Sequence, residues 1–178
     1  CKFRGVPTSD PKRKQAVKRD CYVNLGQGPT IVYKAFLRGR YPIAQAYAGD
    51  SFTVDQVQDL GRGRIVRLGT YGDPAAIPSS IWDRLISRAE SHLAYTHQSG
   101  FRPDIAMQSA DTKAQAVEHW NNGRRTFRVI TDLGDIVKGK EILCPASKEA
   151  GRRVQCNACK LCGGNSTKSP KSIAIVQH

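Results

Sequence analysis

Three cysteines at successive two-residue gaps, Cys156-Asn-Ala-Cys159-Lys-Leu-Cys162, carry the plainest chemistry in this sequence. Thiols so close in the chain cannot pair comfortably with one another as disulfides, whereas gaps of this length let them turn toward one ion. Such a run needs a fourth ligand. Cys144 is the candidate, because it ends an apolar run and is followed by Pro145, which favours a turn back toward the cluster. Four thiolates suit tetrahedral zinc, and the repeated two-residue gap also matches the binding run of an iron–sulfur cluster, so the expected cofactor is one of these two. Gly163 and Gly164 would let the backbone approach the metal or donate hydrogen bonds to sulfur. Metal ligation rather than disulfide formation implies a reducing, cytoplasmic compartment. Cys1 and Cys21 remain open: a disulfide, further ligands of the same centre, or part of a second metal site.

A second group of reactive side chains falls where apolar runs end. Gly72, Asp73 and Pro74 follow Ile65 to Gly69, His97 follows Leu93 to Thr96, Ser109 and Asp111 close Ile105 to Ser109, and His178 follows Ser172 to Val176. If those runs are parallel strands, their following loops gather at one edge of a sheet, where binding and catalytic groups collect. Asp73, His97, Ser109 and His178 then face one pocket near the cysteines, with imidazole and carboxylate available for proton transfer, and Gly72 and Asp73 available to a ligand. The plainer alternatives are that Asp73 starts a turn and that Ser109 or Asp111 caps a helix. His92 and His119 are weaker candidates, one just before a strand and one within a helix. No phosphate-cradling glycine loop of the P-loop kind, nucleophile elbow or His-Glu-Xaa-Xaa-His helix is present, which leaves the common kinase and hydrolase readings unsupported.

The elements that must position these residues are legible from periodicity. Strands are expected over Ile65 to Gly69, Leu93 to Thr96, Ile105 to Ser109, Thr126 to Thr131, Glu141 to Leu143 and Ser172 to Val176. Helices are expected over Lys12 to Arg19, from Pro29 through Phe36, over Thr53 to Leu60, from a Ser79 or Ser80 cap through Ala89, and over Thr112 to Asn122. Strands alternating with helices of this length argue for parallel βαβ units. Too few strands are present to close an eight-stranded barrel. The fold class is therefore α/β, an incomplete βα barrel or an open, mostly parallel sheet, with a metal-binding loop over 144–164.

At 178 residues the chain has room for one domain, whose first 63 residues form a basic, mainly helical segment. Lys and Arg number 28 against 15 Asp and Glu, and the net charge of +13 favours a polyanionic partner such as nucleic acid. Lys12, Arg13, Lys14, Lys18 and Arg19 are the residues to contact it. No apolar run approaches the length of a membrane span.

Several short motifs together resemble an uncharacterised, cysteine-rich α/β family common in bacteriophages and their hosts: Cys1 and Cys21-Tyr22, Gly72-Asp73, Tyr95-Thr96-His97, the Ser109 loop, Cys144-Pro145-Ala146, the Cys156 to Cys162 run and the closing His178. The resemblance implies a protein of the phage-infected cell and further cysteines upstream of Cys1. Gly72-Asp73-Pro74 is also similar to the turn after the second strand in radical S-adenosylmethionine enzymes, which are partial barrels. Their cluster run, with gaps of three and then two residues, does not occur in this chain. Three functions follow as expectations: a metal protein with a strand-end pocket, a zinc-stabilised nucleic-acid-binding module without catalysis, and a radical enzyme.

Overall fold

The computed structural model describes residues 6, 9, 17, 28–40, 54–70, 72–152, 154–166 and 169–177. The chain parts into two compact units, Cys1–Gly49 and Asp50–His178. In the first, α1 (Gly28–Leu37) forms where Pro29 can open a helix, and it is closed by Gly39. Val6 and Val17 pair antiparallel. β-branched valine favours such an extended contact, and apart from Val17 the helix expected over Lys12 to Arg19 lies outside the described residues. The basic residues Lys12, Arg13, Lys14, Lys18 and Arg19, together with Cys1, Cys21 and His178, lie outside the described residues.

The second unit opens with α2 (Val54–Gly61) and continues through β1 (Ile65–Arg67), α3 (Ser79–Ile86), β2 (Ser91–Leu93), β3 (Tyr95–Thr96), β4 (Met107–Ala110), α4 (Lys113–Asn121), β5 (Thr126–Ile130), β6 (Glu141–Leu143), α5 (Cys156–Cys159) and β7 (Ser172–Val176). All strand pairs are parallel: β1 pairs with β2, and a second sheet runs β3-β4-β5-β7-β6. The run expected over Leu93 to Thr96 is divided at Ala94, where the strand changes partner from β1 to β4. The sheet is open. Two caps differ from expectation. Thr112, rather than Ser109 or Asp111, caps α4 by accepting from Gln115 N, and Pro78 precedes α3 without a side-chain cap, its fixed φ serving the helix entry.

Strand alternation divides the sheet into two faces. One carries Leu68, Ala94, Ile105 and Ala106 against Trp82, Leu85 and Ile86 of α3. On the same face Trp120 of α4 donates its Nε1–H to Thr126 Oγ1 and Ser172 Oγ. Arg128 and Glu141 also meet here, reaching across β7 above Ala174, whose methyl group leaves them room. The opposite face carries Leu93, Met107, Ile173, Phe127 and Ile142, and its cover is the cysteine segment, through Leu161, Cys162 and Cys144. Ile105, Met107 and Ile173 are fully buried, each worth about 1.5–3 kcal/mol of apolar transfer.

His92 shows what a buried histidine does in such a core. Its Nε2 lies 2.9 Å from Ile105 O, and burial pushes its pKa below the usual imidazole value, against the opposing pull of Ile105 O and the Asp104 carboxylate. The folded state therefore binds fewer protons than the unfolded chain once pH falls below about 6.5. Stability is complete above that pH and declines as pH drops toward the lowered folded value. Chemical denaturation at pH 7.5 and pH 5 should show this loss in the native sequence and a shallower one in His92→Gln; equal slopes would remove His92 as its source.

Candidate metal centre and strand-end site

Cys144 stands immediately after β6, two residues beyond Ile142 and hence on the same face of the sheet. Its N–H donates to Ala174 O at 2.7 Å, so the adjoining strand fixes it. Pro145 then turns the chain, and Ser147 N donates to Cys144 O. Burial raises the Cys144 thiol pKa, while the N–H groups of Ala146 and Ser147 pull it back by favouring the thiolate. Ser147 Oγ is buried and has no hydrogen-bond partner among the described residues.

The other three cysteines follow from a short turn and its exit. Cys156 to Cys159 form the single turn α5, and Lys160 leaves it in the left-handed region at φ 54. Lys160 is the non-glycine residue with positive φ among those described. Such a conformation marks a backbone held by its surroundings, here by Lys160 N donating to Cys156 O and by an ion pair from Lys160 Nζ to Glu90. Cys162 then sinks into the apolar face at 8% exposure, and its carbonyl accepts from Ala94 N at 3.0 Å. The cysteine segment is thereby sewn into the sheet where the strand changes partner.

Gly164 completes the docking. Its φ is +62, and a β-carbon there would collide with Pro103 O and lie 2.8 Å from Ala106 N. The glycine thus serves close approach to the entry of β4, a different use from the approach to metal that the sequence suggests. Asn165 closes the same contact, its side chain accepting from Arg125 N and donating to Gly123 O.

The four thiols influence one another. Burial pushes Cys162 up to about 11, the Tyr95 hydroxyl lowers it by a hydrogen bond, and Cys144, Cys159 and Cys156 each raise it further. Cys156 is exposed, Cys144 and Cys159 are half-buried, Cys162 is buried, and none of the four is paired in a disulfide. Among the described residues no three His, Cys, Asp or Glu side chains stand together as a ready-made ligand set. Tyr95 joins the cluster to its surroundings: its ring packs on Phe127 at 4.4 Å between centroids, and the Arg67 guanidinium sits 5.8 Å above it.

Two residues beyond Tyr95, at the strand exits, lies the second group. Asp73 Oδ1 accepts from Ala75 N at 2.9 Å and from Thr96 Oγ1 at 2.7 Å, and Asp73 Oδ2 accepts from His97 N at 3.0 Å. Its carboxylate is therefore a latch that ties the loop after β1 to the end of β3. Gly69 makes that loop possible, since its φ is +67 and a β-carbon would meet Pro74 and Gly72 O at 2.6 Å. The His97 ring reaches Asp111 Oδ1 at 3.4 Å, with side chains 55% and 24% exposed. Ser109 lies on the cysteine face of β4, two residues beyond Met107.

The structure thus brings Asp73 to His97 and sets Ser109 on the cysteine face, while Gly72 only closes a turn onto Gly69 O. Asp111, named at a strand end, faces His97. Sequence reasoning missed two contributors: Tyr95 reads as a strand residue yet packs against the same apolar cluster as Cys162, and Arg125 is 7% exposed. A usable signal for Arg125 was its place immediately before an apolar strand. No described helix is long and apolar enough to cross a membrane. Compared with protein-family models, curated proteins and solved structures, the chain has no match.

Proposed function

We propose that this chain is a thiolate metal protein, binding zinc or an iron–sulfur cluster through Cys144, Cys156, Cys159 and Cys162, with a ligand or catalytic pocket at the strand exits around His97. The observation that carries the reading is the packing of Cys144 and Cys162 against one apolar face of the parallel sheet, with Cys156 and Cys159 on the short turn that leads into Cys162. The residues fit such a group. Ala146 and Ser147 direct N–H groups to the Cys144 thiolate, and the buried Ser147 hydroxyl would gain an acceptor in metal-bound sulfur. Binding would draw the exposed Cys156 to Cys159 turn toward the fixed Cys144 and Cys162. Zinc would supply rigidity or Lewis acidity there, and an iron–sulfur cluster electron transfer.

In the pocket, His97 is the group available for proton transfer, with Asp111 orienting its ring and Asp73 holding its backbone. Nucleic acid is the substrate or partner class that the charge of +13 favours. The second reading, a zinc-stabilised nucleic-acid-binding module, draws support from the same charge and from the structural use of the Asp73 carboxylate. Elemental analysis and absorption spectra of anaerobically purified protein test the metal. Iron with labile sulfide supports a cluster, colourless zinc a structural site, and metal-free protein with all four thiols freely reactive overturns the proposal. His97→Ala separates the two readings. An enzyme loses activity with its metal retained, whereas a binding module keeps an affinity that falls steeply with salt.

A further inference from the structure

Arg125 enters the sheet just before β5 and turns its side chain under the cysteine segment. Its Nε and Nη2 donate to Lys171 O at 2.9 and 2.6 Å, Nη1 donates to Gly164 O at 2.5 Å, and Nη2 also donates to Leu161 O at 2.9 Å. Leu161 and Gly164 flank Cys162, and Lys171 precedes β7. One planar guanidinium therefore binds carbonyls on both sides of a single cysteine and a strand entry beside them. An arginine fork suits this because its donors lie in fixed directions, while a lysine offers one compact charge. The site is asymmetric as a result. Cys144 and Cys162 are pinned to strands, by Ala174 O and by Ala94 N, whereas the Cys156 to Cys159 turn is held by its own helical turn and the Lys160–Glu90 pair.

We infer that Arg125 is the positioning residue that fixes the Cys162 arm of the centre before any ion binds, leaving the Cys156 to Cys159 turn as the arm that closes. The inference rests on the metal reading for its purpose but not for its geometry, so the two can fail separately. The test uses the full reduced, metal-free chain, with alkylation at each cysteine followed by mass spectrometry in the native sequence, Arg125→Met and Arg125→Lys. In the native protein Cys156 reacts fastest and Cys162 slowest. Arg125→Met should raise the Cys162 rate about tenfold or more while Cys144, held by β7, stays at its native rate. Arg125→Lys should fall between, because charge without the fork recovers only part of the clamp.

Unchanged reactivity at Cys162 in Arg125→Met overturns the clamp. So does a parallel rise at Cys144, which would mean that the whole unit had loosened. The same proteins are then titrated with Co²⁺ and followed by absorption. Affinity in Arg125→Met should fall about 10–100-fold, the usual effect of losing an outer partner of a ligand. Undiminished Co²⁺ affinity in Arg125→Met overturns the positioning role. A native chain that binds no Co²⁺ overturns the metal reading, and alkylation alone then decides the clamp.

Discussion

Arg128→Met is expected to remove about 3–5 kcal/mol of stability, measured by urea denaturation, because it leaves a charge buried without its partner. Arg128 Nε and Nη2 donate to the two oxygens of Glu141 at 2.9 and 2.7 Å, and the side chains are 6% and 0% exposed. Glu141 also accepts from Val137 N, and Arg128 donates to Asp135 O, so the pair fastens the connection between β5 and β6. A domain of ordinary stability, about 5–15 kcal/mol, would be left marginal. The double variant Arg128→Met/Glu141→Leu should recover most of the loss, since two apolar groups of similar volume carry no desolvated charge. A cost under about 1 kcal/mol in the single variant would be that of an exposed pair and would contradict this burial.

Cys156→Ser should weaken metal binding by more than about 100-fold, beyond the range seen when only an outer partner is lost. Cys156 is exposed, so the replacement alters no packing and the loss can be assigned to the ligand itself. Cys162→Ser should lose metal to the same degree and also lose stability, because a hydroxyl replaces a thiol in contact with Leu93, Met107 and Ile173. Competitive titration against a zinc chelator measures the first effect and urea denaturation the second. Native affinity in Cys156→Ser would take that residue out of the ligand set.

Much of this arrangement is written in local sequence, and the reasons for the exceptions are specific. The apolar runs at Glu141 to Leu143 and Ser172 to Val176 appear as β6 and β7 with the expected bounds, because short β-branched segments bounded by turn residues have few alternatives. Parallel pairing, and with it the meeting of Asp73 and His97, follows from the intervening helices. The division at Ala94 is not legible, since it arises when Cys162 O, far away in the chain, accepts from Ala94 N. The Arg125 clamp is hidden for a similar reason. Its acceptors are backbone carbonyls, which carry no signature of residue type.

X-ray absorption at the edge of the bound metal tests the central claim most directly, because it counts the atoms that coordinate it. If Cys144, Cys156, Cys159 and Cys162 form the centre, the spectrum will fit four sulfur scatterers at about 2.3 Å per metal. A first shell dominated by nitrogen or oxygen at about 2.0–2.2 Å, or one fitted by fewer sulfurs, would contradict the four-cysteine assignment.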